Sequence, residues 1–158
     1  MTTNFIIFIC AAVILIGASF VARSKMSGTK YYFNDWEKVD MPYITIDVQG
    51  KPLNFITDSG AAVSVISKEI LSELNYEPSI RKVNLTALNN EGVDSEMIVL
   101  AINIGGKEVK SDFLAYEGVD IAGFGSKHGV PIDGILGVEF FKKTGGKIDF
   151  NKKTVTFP

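Results

Sequence analysis

Two kinds of hydrophobic pattern divide this chain. Over positions 5–22 every residue is apolar or small and none is charged, an unbroken run of 18 residues (5 through 22). As a helix it would measure roughly 27 Å, about the thickness of a bilayer's hydrocarbon core. From Pro42 onward the period drops to two. Ile44, Ile46 and Val48 alternate with Tyr43, Thr45 and Asp47, which predicts a half-buried strand over 43–48. Gln49-Gly50-Lys51 supplies a turn, and 52–57 returns as a second strand that Asp58-Ser59-Gly60 breaks sharply. Val63, Val65 and Ile66 make a third short strand. Ser67 is placed to cap a short helix through Leu74, with Glu69 in the first turn where the helix dipole favours it. Further strands are expected over 83–88, 95–104 and 108–115, the last two joined at Gly105-Gly106. Positions 116–130 are glycine-rich and read as loop, 132–136 is apolar, and 137–143 can make one or two helical turns. A hairpin of 147–150 and 154–157 closes the chain. Short strands, frequent turns and one or two small helices indicate an all-β domain.

Three readings of 5–22 compete. A cleaved signal peptide wants a basic start and small residues before the cut. Here positions 1–4 carry no side-chain charge, and Phe20-Val21-Ala22 puts a ring where a small residue belongs. A buried core helix seldom runs this long without a polar position. An uncleaved, single-pass transmembrane helix fits best, which divides the chain into an anchor (1–22), a juxtamembrane linker (23–40) and one domain (41–158). Within the linker, Tyr31, Tyr32, Phe33 and Trp36 either sit in the interfacial belt or begin the domain. Arg23, Lys25 and Lys30 follow the apolar run and nothing basic precedes it, so the positive-inside bias leans towards a cytoplasmic domain.

Composition narrows the chemistry. At 158 residues, with the apolar run set aside, the chain has enough length for one domain. The formal net charge is −2, and no basic cluster lies beyond the membrane flank, which argues against nucleic acid as a partner. The single cysteine, Cys10, lies inside the apolar run, so no disulfide framework or cysteine metal site can form within one chain. His128 is the only histidine, and no serine sits in Gly-x-Ser-x-Gly, so neither a Ser-His-Asp hydrolase nor a zinc site is indicated. No cofactor is called for.

Asp58-Ser59-Gly60 is the principal chemical signal. Alone it is cheap, since a strand-ending turn with Asp or Ser bonded to the backbone looks the same. Its surroundings are more specific. It follows the apolar strand Leu53-Asn54-Phe55-Ile56-Thr57 and leads into Ala61-Ala62-Val63-Ser64-Val65-Ile66. About eighty positions later comes Asp133-Gly134-Ile135-Leu136-Gly137. On these two elements the chain resembles the retropepsin-like aspartic proteases, over about 41–158. In that family a strand ends in hydrophobic–hydrophobic–Asp–Thr/Ser–Gly–Ala, and a second element reading Ile-Leu-Gly crosses beside it. Phe55 through Ala61 matches the first element. Ile135-Leu136-Gly137, with Val138-Glu139-Phe140-Phe141, matches the second. Two positions depart from the pattern: Thr57 stands where an apolar residue is usual, and Ser59 replaces the commoner Thr.

The resemblance implies a small, closed, barrel-like acid-protease fold of six to eight strands. It makes Asp58 catalytic, with Ser59, Gly60, Ala61, Ile135, Leu136 and Gly137 supporting the active-site loop. It also places a substrate-covering flap over 83–104, with Asn89, Asn90, Glu91 and Gly92 at its tip. The chemistry needs two carboxylates and the motif occurs once, so a two-fold homodimer is the economical source of the second, acting on a peptide or protein substrate. Asp133, inside the second element, is expected to be structural. The reading from a different class is a retropepsin-like module that no longer cleaves and serves binding or dimerisation at the membrane. A third is a plain β-adaptor with chance motifs, in which the two elements would not cross.

Overall fold

The alternating stretches become strands that close on themselves. The computed structural model describes residues 28–39, 41–86, 92–116, 127 and 129–158. In chain order the strands are β1 (Thr29–Tyr32), β2 (Tyr43–Val48), β3 (Lys51–Thr57), β4 (Val65–Ser67), β5 (Glu77–Pro78), β6 (Val83–Thr86), β7 (Gly92–Ile104), β8 (Lys107–Tyr116), β9 (Gly134–Leu136), β10 (Lys147–Asp149) and β11 (Thr154–Phe157). The described helices are α1 (Trp36–Val39), α2 (Lys68–Leu71) and α3 (Val138–Thr144). Six strands hydrogen-bond in the order β2-β3-β9-β4-β8-β7, and β7 returns to β2 where Asn103 faces Asp47, closing a barrel. Strands β5 and β6 pair with β7 outside this ring, and β1-β11-β10 form a separate sheet.

The period-two pattern explains the barrel's interior. Ile44, Ile46 and Val48 of β2, Leu53 and Phe55 of β3, and Ile98, Leu100 and Ile102 of β7 are all buried in one cluster. Rings extend that core from the barrel to the C-terminal sheet: Phe55 against Phe113 (6.1 Å between centroids), Phe113 against Phe140 (6.3 Å), and Phe140 edge-on to Phe157 (5.9 Å). Such pairs contribute about 0.5–1.5 kcal/mol each beyond the area they bury. The β2–β3 turn places Gln49 at φ 56° and Gly50 at φ 83°, the two left-handed positions of a turn whose twist matches the strands it joins.

Three expectations change. Helix α2 has the predicted cap, Glu69 N–H donating to Ser67 Oγ at 3.3 Å, but ends at Leu71. Its continuation to Leu74 is a tighter turn, with Glu73 N–H to Ile70 O at 3.1 Å and Leu74 N–H to Leu71 O at 3.2 Å. There are three short helices among the described residues where one or two were expected. The additional one, α1, lies in the stretch expected as linker.

That stretch is an arm of the domain. β1 runs antiparallel to β11, with Tyr31 opposite Val155. Phe33 is buried in the main core and stacks on Trp36 at 5.3 Å. Val39 enters a second cluster with Met41, Tyr43 and Ile132. The physical reason is burial: one aromatic ring and one aliphatic side chain leave water here, which an interfacial position could not provide as fully. The Tyr43 hydroxyl donates to Asp35 Oδ2 at 2.9 Å. Burial first, and the Asp35 carboxylate second, push that hydroxyl's pKa up to about 12, so it remains a donor at physiological pH. The apolar run 5–22 lies outside the described residues. Among the described residues no helix is long and apolar enough to cross a membrane.

Candidate active site

The second element does thread beside the first. β9 lies between β3 and β4: parallel to β3, with Phe55 opposite Gly134 and Thr57 opposite Leu136, and antiparallel to β4, with Val65 opposite Ile135. The loop 58–63 therefore leaves β3 on one side of β9 and returns into β4 on the other. Two glycines make this packing possible. A Cβ on Gly134 would collide with the carbonyl oxygen of Val65, and one on Gly137 would lie 2.5 Å from Val63 O and 2.7 Å from Ala61 O. Backbone bonds then tie the two elements: Asp58 N–H donates to Leu136 O at 3.0 Å, and Val138 N–H donates to Ala61 O at 2.8 Å.

Asp58 is half-buried at the tip of β3. Gly60 N–H donates to its Oδ1 at 2.7 Å, fixing the carboxylate to its own loop. No other hydrogen bond or ion pair to this carboxylate occurs among the described residues. Ser59 and Gly60 are exposed, and Ala61 is partly so. One face of the Asp58 loop is thus open while the other is bonded into the crossed strands. Ile135 is half-buried, and Leu136 and Gly137 are buried.

Thr57, the departure from the family's apolar position, proves to be 2% exposed and bonded. Both its N–H (2.7 Å) and its hydroxyl (2.9 Å) donate to Pro42 O. A buried Thr is tolerated there because its hydroxyl has a partner. Ser64, also 2% exposed, accepts the Gly137 N–H on Oγ at 3.0 Å. Neither role was read from the sequence. The available signal was a small hydroxyl residue beside apolar neighbours: Thr57 after Phe55-Ile56, and Ser64 between Val63 and Val65.

Asp133 serves the sheet. Its Oδ2 accepts the Asn54 N–H at 2.8 Å, and its own N–H donates to Asn54 O at 2.9 Å. Asn54 is four residues before Asp58 on β3, so along the strand the two acids are separated by roughly 13 Å. Burial raises the Asp133 carboxyl above the usual carboxylate range, the Asn54 N–H pulling the other way. Because the folded pKa is raised, the stabilising contribution is present at low pH and is lost as pH rises through the folded value. Asp133→Asn keeps an acceptor for Asn54 N–H and removes that dependence. Its melting temperature relative to wild type should therefore be higher at pH 7 than at pH 4. Thermal melts of both proteins at the two pH values check this. Asp149 is likewise committed: Lys152 N–H donates to its Oδ1 at 2.9 Å, and Lys152 Nζ pairs with Oδ2 at 3.0 Å.

The strands expected for a flap exist as an antiparallel hairpin of β6 and β7, with Val83 opposite Ser95 and Thr86 opposite Gly92. Gly92 opens β7, while Asn89, Asn90 and Glu91 lie outside the described residues. At the hairpin's root Arg81 donates from both terminal nitrogens to Glu139 of α3, at 2.7 and 2.8 Å. No group of three or more His, Cys, Asp or Glu among the described residues could hold a metal ion.

The sequence pattern of the aspartyl protease family matches residues 44–140, which is 97 of 158 positions and includes both elements. Among solved structures, a retropepsin-like aspartic protease from Rickettsia conorii superposes with a TM-score of 0.52 at 21% identity, covering 82% of this chain and 89% of that one. The retroviral protease-like domain of Ddi1 from Leishmania major gives a TM-score of 0.47 at 16% identity, covering 74% and 87%. EIAV protease, complexed with the inhibitor HBY-793, gives 0.46 at 18%, covering 70% and 93%. No curated protein matches by sequence alone. The matched pattern, the crossed strands around Asp58 and the closed six-strand barrel agree, and the chain belongs to the aspartyl protease family with a retropepsin-like fold.

Proposed function

We propose that this protein is an aspartic endopeptidase whose active site is assembled from two Asp58 carboxylates across a two-fold homodimer. The observation that carries the reading is the state of the three acids that could take part. Asp58 sits on the open face of the crossed loop with one oxygen fixed by Gly60, whereas Asp133 and Asp149 have their carboxylates bonded into a strand ladder and a hairpin turn. Two carboxylates about 3 Å apart cannot both ionise and so share a proton, aspartic proteases being the standard example of the effect. The ionised member accepts a proton from a bridging water, which attacks the peptide carbonyl, while the protonated member donates towards the carbonyl oxygen. No metal and no covalent intermediate is required. The exposed Ser59 hydroxyl is free to bond across to the partner loop, and the β6–β7 hairpin takes the place of a substrate cover. The apolar run 5–22, followed by Arg23, Lys25 and Lys30, supports a membrane tether with the domain on the cytoplasmic side.

Assembly makes the reading testable. If the active species is a dimer, the specific activity of a chain beginning at Gly28 should rise with protein concentration until the dimer saturates. Adding Asp58→Asn chain to wild type should inhibit, because mixed dimers hold one competent carboxylate. Activity against dilution, with mass from sedimentation, decides the matter. Constant activity from a sedimenting monomer would remove the dimer from the proposal. A folded dimer that cleaves no peptide would favour the binding module instead.

A further inference from the structure

The loop carrying Asp58 is suspended between two buried hydroxyls, and we propose that Thr57 and Ser64 are positioning residues that fix where the Asp58 carboxylate sits. This rests on the role proposed for Asp58 and adds what holds that acid in place.

Thr57 is the last residue of β3 and Ser64 immediately precedes β4, so the two bracket the loop 58–63. Both lie in the small set of buried polar side chains among the described residues. Each bonds to a different body. The Thr57 hydroxyl donates to Pro42 O, in the segment joining the N-terminal arm to β2. Ser64 Oγ accepts the N–H of Gly137, the residue that ends the second element and caps α3. Between these anchors the loop is held by Asp58 N–H to Leu136 O, Val138 N–H to Ala61 O and Gly60 N–H to Asp58 Oδ1. Deleting either hydroxyl removes a side-chain tie and should loosen the loop, so that its backbone bonds, Asp58 N–H to Leu136 O and Val138 N–H to Ala61 O among them, open more often.

Chemistry argues that the hydroxyls are used for position. Pro42 O already receives the Thr57 N–H, so the fold does not need the hydroxyl to satisfy that carbonyl. What the second bond adds is direction. A β-branched side chain has few χ1 options, and a hydroxyl tied to Pro42 O selects one of them and with it the exit path of β3. Gly137 is buried, and Ser64 Oγ supplies the partner for its N–H. The carboxylate is one residue beyond the first anchor. Displacements of about 1 Å at a reacting group can cost on the order of a hundred-fold in rate.

The experiment compares Thr57→Val, Thr57→Ser and Ser64→Ala in the full chain. Thr57→Val keeps branching and approximate volume while deleting the donor, and Thr57→Ser restores it. Amide hydrogen exchange at Asp58 and Val138 reads the loop directly and does not depend on activity. Exchange there should be about ten-fold faster in Thr57→Val and Ser64→Ala, with the β2–β3 ladder unchanged and Thr57→Ser close to wild type. In a peptide-cleavage assay the same two variants should lose about ten-fold in kcat with KM within about two-fold. Unchanged exchange at Asp58 and Val138 overturns the inference whatever the activity. Faster exchange everywhere, or activity lost only in proportion to unfolded protein, also overturns it and leaves the hydroxyls as ordinary core bonds. A wild-type chain that cleaves nothing while its loop still loosens in Thr57→Val would reject the proposed peptidase and keep the anchoring.

Discussion

Asp58→Asn is expected to leave a folded, paired chain whose peptidase activity is at least about a thousand-fold below wild type, within the range that positioned acid–base groups supply. The carboxylate's bonding predicts the intact fold. Its one bond among the described residues is acceptance of the Gly60 N–H, and an amide oxygen can keep that role. What the amide cannot do is take a proton from water or share one with a partner acid. The substitution therefore separates chemistry from architecture more sharply than Asp58→Ala, which would also free the Gly60 N–H. Sedimentation and melting of Asp58→Asn should match wild type while cleavage of a reporter peptide falls to background. Wild-type rates from this variant would show that Asp58 is not the acid, and that cleavage depends on another group.

Much of this site was legible because its constraints are local. Asp58-Ser59-Gly60 interrupts a period-two strand, and Ile135-Leu136-Gly137 recurs at a distance that a β-barrel can bring back beside it. The strand bounds followed from alternation and turn residues: 43–48 and the Gly105-Gly106 turn are where they were expected. The parts that escaped depend on tertiary partners. Nothing local shows that Thr57 will find Pro42 O fifteen residues earlier, or that Ser64 will find Gly137 seventy-three residues later. Helix α2 was expected three residues too long because the apolar Ile70, Leu71 and Leu74 spacing suits a helix and a tighter turn alike. The arm 29–39 reads as linker or as the start of the domain because its aromatics suit a membrane interface as well as a core, and one strand's length of sequence cannot tell the two apart.

That arm carries the second large effect: a chain begun at Met41 is expected not to fold stably. The deletion removes Phe33 and Val39, 7% and 3% exposed, and the whole of β1. Truncating one buried Phe to Ala typically costs about 3–5 kcal/mol, against total domain stabilities of about 5–15 kcal/mol. Losing β1 also leaves β11 with β10 alone, and an isolated two-stranded hairpin is marginal at best. Polar ties go as well: Asn34 Nδ2 donates to Thr45 Oγ1 at 2.7 Å, and that hydroxyl donates in turn to Asn54 Oδ1 at 2.7 Å, on the strand that leads into Asp58. The arm thus lies on the path from any N-terminal tether to the proposed catalytic acid. Thermal melts of chains beginning at Gly28 and at Met41 make the comparison, with Phe33→Ala as a milder variant losing about 3 kcal/mol or more. A Met41 chain that melts cooperatively within a few degrees of the Gly28 chain would reduce the arm to an appendage. Loss of the cooperative transition would make it part of the domain's core, and would set Gly28 as the start of any chain used to measure cleavage.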